Sequence, residues 1–271
     1  MVTFPHCKIN LGLNVIARRA DGFHDIETCF YPILWTDILE IIPSEKLQMD
    51  VTGLRIAGSV QENLCLKAYA LVEKDFDLPP VHIHLHKLLP TGAGLGGGSS
   101  DAAFTLRAIN EIFKLNLSSA KLAVYASVLG SDCAFFSQDS AMIGTGRGEI
   151  LSRIDAPLKG KFMVVVKPDI HVTTAEAYAD IIPRKPSQSI REVIERISIE
   201  DWKHLLVNDF EESVFRKFPA VGRLKNTLYQ KGAVYASMSG SGSSVFGIFN
   251  EPVDVRVEFA GLTVWDGELL S

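Results

Sequence analysis

The chain has few cysteines, no long apolar run and no excess of positive charge among its 271 residues. The four cysteines, Cys7, Cys29, Cys65 and Cys133, never fall at Cys-x-x-Cys spacing, so neither a zinc ribbon nor a redox dithiol is indicated. A chain of this length does not need disulfides to fold, and the four are read as reduced thiols of a cytoplasmic protein. No uninterrupted apolar run reaches the roughly 18–20 residues of a membrane helix, so no membrane partner is expected. The opening Met-Val-Thr-Phe-Pro-His lacks the basic and apolar regions of a signal peptide. With 27 basic and 32 acidic residues the net charge is −5, which argues against a nucleic-acid partner but leaves room for a local basic pocket around a polyphosphate. Apolar content of 47% with 22% charged residues is that of an ordinary globular chain, long enough for one large domain or two medium ones.

Glycine, by contrast, is concentrated in one place. The stretch Pro90-Thr91-Gly92-Ala93-Gly94-Leu95-Gly96-Gly97-Gly98-Ser99-Ser100 holds five glycines. Without a Cβ the backbone can take positive φ, approach a ligand closely and turn successive N–H groups toward one anion. A helix pattern follows at once, with Ala102, Leu106, Ile109 and Phe113 on one face and Ser99 or Ser100 placed to cap its start. A glycine loop opening into a helix N-terminus is a phosphate site. A glycine-rich turn without a ligand is the plainer alternative, but glycine is costly inside regular structure and five together need a reason.

The kind of phosphate loop can be narrowed. Gly98 is followed by Ser99, not by the lysine of a Walker A loop. Neither His-Arg-Asp nor Asp-Phe-Gly occurs, which excludes a protein kinase. Gly92, Gly94 and Gly97 fit G-x-G-x-x-G, and Glu111 follows at about the right distance for a dinucleotide fold. Glu111, however, lies in the same helix pattern, out of reach of a ribose. The preceding strand, Val81–His86, alternates and so has only one apolar face, unlike a central parallel strand.

Elsewhere the chain mixes strand and helix signals. Val2–Ile16 reads as a strand with Lys8 and Asn10 on its polar face, either solvated at an edge or facing a ligand. Asp50-Val-Thr-Gly53 reads as a hairpin turn. Asn63 opens a helix containing Lys67, a surface helix or part of a nucleotide site. His82, His84 and His86 share one face of their strand at a spacing that can chelate a metal, but no acid or thiol lies within the strand, so they read as a polar stripe. Ser118 caps a second helix that Gly130 ends. Asp132 then stands between that helix end and Cys133-Ala-Phe-Phe136, as an N-cap or as a general base. Thr173-x-x-Glu176 and Ser189-x-x-Glu192 are capping boxes, the first opening a helix that carries Tyr178. Trp202–Leu206 and Ala220–Lys231 are further helices, the latter stopped by Gly232. Ala236–Gly247 is a strand, a glycine turn and a strand.

Pro-x-x-x-Gly-Leu-Gly-Gly-Gly-Ser-Ser-x-Ala-Ala resembles the phosphate loop of the galactokinase, homoserine kinase, mevalonate kinase and phosphomevalonate kinase superfamily (GHMP). Lys8-Ile-Asn-Leu-Gly-Leu followed by Arg19-Ala-Asp-Gly-Phe-His24 resembles the opening of those members that act on a cytidyl-diphospho-methylerythritol in non-mevalonate isoprenoid synthesis. Gly130-x-Asp132-x-x-Phe-Phe136 and the turn around Ser239 and Gly240 resemble two further motifs of that group, so the likeness runs from Lys8 to Gly247. It implies an α+β fold of two domains, residues 1–155 like ribosomal protein S5 domain 2 and residues 156–271 ferredoxin-like, with the active site in the cleft between them. It implies ATP as phosphoryl donor, held by residues 90–100 with Asn63 and Lys67 near the adenine, and Mg²⁺ on Ser99 or Ser100. The same likeness makes Asp132 the general base and Lys8 the cation that keeps it ionised and steadies phosphoryl charge. Lys8 and Asn10 face the substrate hydroxyl, Ser239 and Gly240 pack beside the substrate, and Phe23, His24 and Tyr178 hold the cytosine. Phe23 stands where this group usually has tyrosine, so a ring is kept and a hydroxyl lost. Two alternatives remain: another small-molecule kinase of the superfamily, and a catalytically silent nucleotide-binding regulator. The oligomeric state is not legible.

Overall fold

The computed structural model describes residues 1–56 and 58–269. The chain is a two-domain α+β protein whose two compact units are each assembled from separated segments. The first comprises Met1–Cys7, Leu34–Thr91 and Gly96–Asp139; the second comprises Lys8–Ile33, Gly92–Leu95 and Ser140–Ser271. Among the described residues no helix is long and apolar enough to cross a membrane.

In the first unit a four-stranded sheet has the order β1 (Val2–Thr3), β4 (Ile38–Pro43), β6 (Val81–Lys87), β5 (Gln48–Gly53). The expected single strand from Val2 is interrupted at Phe4 and Pro5; proline has no N–H for a ladder, and β2 (His6–Arg18) starts beyond it. The alternation in β6 sends Val81, Ile83, Leu85 and Lys87 inward, and the β4 register sets Leu39 opposite Leu85 and Ile41 opposite Ile83. The apolar face packs on α1 (Leu64–Phe76), α2 (Gly97–Ile112) and α3 (Ser119–Leu129) through Tyr69, Val72, Leu106, Ile109 and Tyr125. Ser118 caps α3 and Gly130 ends it, as the sequence suggests. Residues 50–53 are not a hairpin turn: they lie within β5, which runs parallel to β6. Asp50 and Thr52 thereby reach the histidine stripe, where Asp50 Oδ2 meets His82 Nε2 at 2.8 Å and Thr52 Oγ1 meets both His84 and His86.

The second unit has two four-stranded sheets. One has the order β2, β3 (His24–Thr36), β7 (Met142–Thr145), β8 (Ile150–Arg153). The other runs β10 (Tyr235–Met238), β11 (Val245–Phe249), β9 (Phe162–Lys167), β12 (Thr263–Glu268), antiparallel throughout. Both expected capping boxes form, at α4 (Thr174–Tyr178) and α5 (Ile190–Arg196). After α6 (Trp202–Leu205), α7 (Phe210–Lys217) and α8 (Pro219–Gln230) pack on the apolar residues of β9, β10 and β11.

Candidate active site

The glycine loop has positive φ at every second residue from Gly92 to Gly96, at 60°, 75° and 71°. Backbone of this kind forms concavities that bind anions. A Cβ on Gly94 would lie 2.0 Å from the Ser239 carbonyl oxygen, so only glycine fits. Neither serine caps α2. The N-cap is Gly96, in the left-handed region and without a side-chain cap, and Ser99 and Ser100 lie inside the first turn. The alternating backbone fills the cap position with glycine, which leaves both hydroxyls for other contacts.

In the second unit Lys8 and Asn10 are buried, at 3% and 2% exposure, so the solvated-edge alternative does not hold. Lys8 Nζ donates to Asn10 Oδ1 at 2.6 Å and to the Gly94 carbonyl at 3.2 Å, beside the Phe30 ring. Asn10 Nδ2 donates to Thr28 Oγ1, which donates to the Gly12 carbonyl, so the amide orientation is settled at both ends. Ser239 Oγ donates to the same Gly94 carbonyl at 2.8 Å, and Gly240 lies against Asn10. Strand, glycine loop and glycine turn thus converge on one ammonium group.

His24 and Tyr178 are brought together, but as a direct stack with ring centroids 4.7 Å apart. A base inserted between them would require the rings to part by an aromatic thickness. Phe23 is 55% exposed and lies under the Arg147 guanidinium.

In the first unit Asp132 is half-buried in the turn after α3. The short helical turn that follows, Phe135–Ser137, is capped by Ala134, so Asp132 is not its N-cap. The Cys133 thiol is pushed up to about 11 by burial, a rise that the Ser99 hydroxyl offsets and Asp132 reinforces, which puts Ser99 and Asp132 beside one thiol. Asn63 caps α1 by accepting from Cys65 N, and Lys67 is paired with Glu62 at 2.6 Å on the surface. Asn63 also lines a cavity of about 260 Å³ with Val51, Leu54, Ile56 and Val60. A larger cavity, about 500 Å³, is lined by Asp180, Arg184, Asp209 and Arg216, among others, and by none of the residues singled out in the sequence.

Two features escape sequence reasoning. Lys87, buried behind the first turn of α2, bridges Asp37 and Asp101, with Asp101 Oδ2 at 2.6 Å. Burial would lower the Lys87 ammonium, but Asp101 and Asp37 outweigh it and hold it above its ordinary value. Burial pushes the Asp101 carboxyl up to about 7 despite Lys87. The available signal was a lysine in phase with Val81, Ile83 and Leu85. The second feature is the stretch Asn208–Glu211, whose side chains bind β10 and the glycine turn after it.

The chain is similar to known proteins over nearly all of its length. The model for the GHMP kinases N terminal domain matches residues 63–141, and that for the GHMP kinases C terminal matches residues 190–260. The chain is 51% identical over 253 residues to the 4-diphosphocytidyl-2-C-methyl-D-erythritol kinase of Bacteroides thetaiotaomicron, covering 92% of each. It is 49% identical over 251 residues to the protein of the same name in Cytophaga hutchinsonii. A crystal structure of 4-(cytidine 5'-diphospho)-2C-methyl-D-erythritol kinase, 31% identical, superposes over all of both chains with a TM-score of 0.81. A mevalonate kinase structure at 16% identity and TM-score 0.72 shares the fold. The chain therefore belongs to the GHMP kinases and, within them, to the 4-diphosphocytidyl-2-C-methyl-D-erythritol kinase family.

Proposed function

We propose that this chain transfers the γ-phosphoryl group of ATP to the 2-hydroxyl of 4-diphosphocytidyl-2-C-methyl-D-erythritol. Beyond the family, the observation that carries this reading is the buried Lys8 ammonium held by Asn10 and the Gly94 carbonyl. A cation oriented in this way within a glycine loop suits phosphoryl transfer, which depends on positioning and on charge stabilisation.

Residues 90–100 hold the triphosphate through backbone N–H groups that follow Pro90. Asp132 takes the hydroxyl proton as the oxygen attacks phosphorus, and Lys8 stabilises the charge that develops on the phosphoryl oxygens. Adenine occupies the apolar cavity beside Asn63, with Lys67 at the helix start. Cytosine is selected by Phe23, His24 and Tyr178, and its entry displaces Tyr178 from His24. Ser239 and Gly240 brace the Gly94 carbonyl beside the substrate. Of the two serines, Ser100 is fully buried and Ser99 half-buried. Mg²⁺ keeps several waters when bound, so the reachable Ser99 hydroxyl is the better fit. Bound there, Mg²⁺ would neutralise charge on the phosphates.

The test is ADP release from ATP across a panel of acceptors. Turnover with the cytidyl alcohol, and none with mevalonate or homoserine, is expected. ATP binding without turnover on any acceptor would favour the silent regulator.

A further inference from the structure

We infer that Asn208 is a positioning residue for phosphoryl transfer, acting through the Ser239–Gly240 turn on the Lys8 ammonium. The inference rests on the proposed activity. Asn208 is 2% exposed, and its amide is fully used. Nδ2 donates to the carbonyls of Met238 and Gly240, both at 2.8 Å, and Oδ1 accepts from Phe210 N at 3.0 Å. The two carbonyls flank Ser239, so a single side chain closes the turn from both sides. The Asn208 backbone is in turn fixed to the strand that carries Lys8: Leu13 N donates to the Val207 carbonyl and Asp209 N to the Leu13 carbonyl, both at 2.8 Å. Its neighbours reinforce the clamp. Asp209 Oδ2 accepts from Val15 N on the same strand, and Glu211 Oε1 accepts from Met238 N and Ser237 Oγ. Phe210 packs edge-on against Tyr178 at 4.6 Å.

The consequence for the ammonium follows from two contacts. Ser239 Oγ shares the Gly94 carbonyl with Lys8 Nζ, and a Cβ on Gly240 would lie 3.3 Å from Asn10 Oδ1, which also accepts from Lys8. A shift of the turn therefore disturbs these two oxygens and with them the placement of Lys8. Misplacement of this kind degrades the chemical step while leaving ground-state binding largely intact, because uniform binding and transition-state stabilisation are separate quantities.

The test compares kcat, KM and thermal midpoint of the full chain in Asn208→Ala, Asn208→Ser and Tyr69→Phe. The last deletes the Tyr69 hydroxyl bonds to the Leu78 and Pro79 carbonyls in the first unit, which involve neither the turn nor the strand that carries Lys8. Asn208→Ala is expected to lower kcat about 10–100-fold, with both KM values within about threefold. Asn208→Ser, which retains one donor, should fall between it and the wild type. Tyr69→Phe should lower the midpoint without lowering kcat. Should the alanine variant not fold, the serine variant carries the same test through its kcat-against-KM split. A folded Asn208 variant with wild-type kcat, or a loss that Tyr69→Phe reproduces at equal destabilisation, would overturn the inference. Absence of cytidyl-dependent turnover in the wild type would instead overturn the proposed activity.

Discussion

The molecule buries two lysines near its glycine loop, and it treats them differently. Lys87 bridges two carboxylates, Asp37 and Asp101, and Asp37 also accepts from the N–H groups of Leu88 and Leu89. Among the partners of Lys8 are the Asn10 amide oxygen and the Gly94 carbonyl of the glycine loop itself. Lys87 thus belongs to the framework beneath α2, where two buried carboxylates fix it, whereas Lys8 is tied to the backbone of the loop.

This contrast can be broken from either side. Lys87→Met leaves two carboxylates buried together and should cost about 3–5 kcal/mol of stability by chemical denaturation. A loss no larger than that of an ordinary surface substitution would remove Lys87 from the framework. Lys8→Met should lower kcat by about 10²–10³-fold with a smaller stability loss than Lys87→Met. If the two variants exchanged these phenotypes, the assignment of roles would be reversed.

A third effect concerns pH. Burial pushes the Asp101 carboxyl up from 3.8 to about 7 in the fold. The folded chain therefore holds this proton more tightly than the unfolded one. The stability this contributes is fully present below pH 3.8 and is lost as pH rises through about 7. Between these values the wild type should lose stability relative to Asp101→Asn, read from denaturation midpoints. Parallel pH curves for the two would contradict the shift.

Much of this was legible in one dimension because its causes are local. Alternation in Val81–His86, the Ser118 cap and the two capping boxes each depend on residues within about one turn or pleat of each other. The glycine loop was legible because its backbone demands a residue type. The start of α2 was misread for a related reason: serine is a common cap, but here Gly96 already occupies that position in the left-handed region. The hairpin expected at residues 50–53 failed because a parallel partner, β6, is a choice made by the whole sheet. Contacts between distant residues left no local signal. Lys87 meets Asp37 across 50 positions, and Asn208 meets Gly240 across 32. The His24–Tyr178 stack joins the two sequence-assigned residues in an arrangement that their separate motifs did not suggest.

The central claim is cytidyl-dependent phosphoryl transfer with Asp132 as base. Its most direct test is ADP release from ATP with 4-diphosphocytidyl-2-C-methyl-D-erythritol, for the wild type and Asp132→Asn in parallel. The account predicts turnover that requires the cytidyl alcohol and falls by about 10²–10⁴-fold in the variant. Turnover at the wild-type rate in the variant would contradict it.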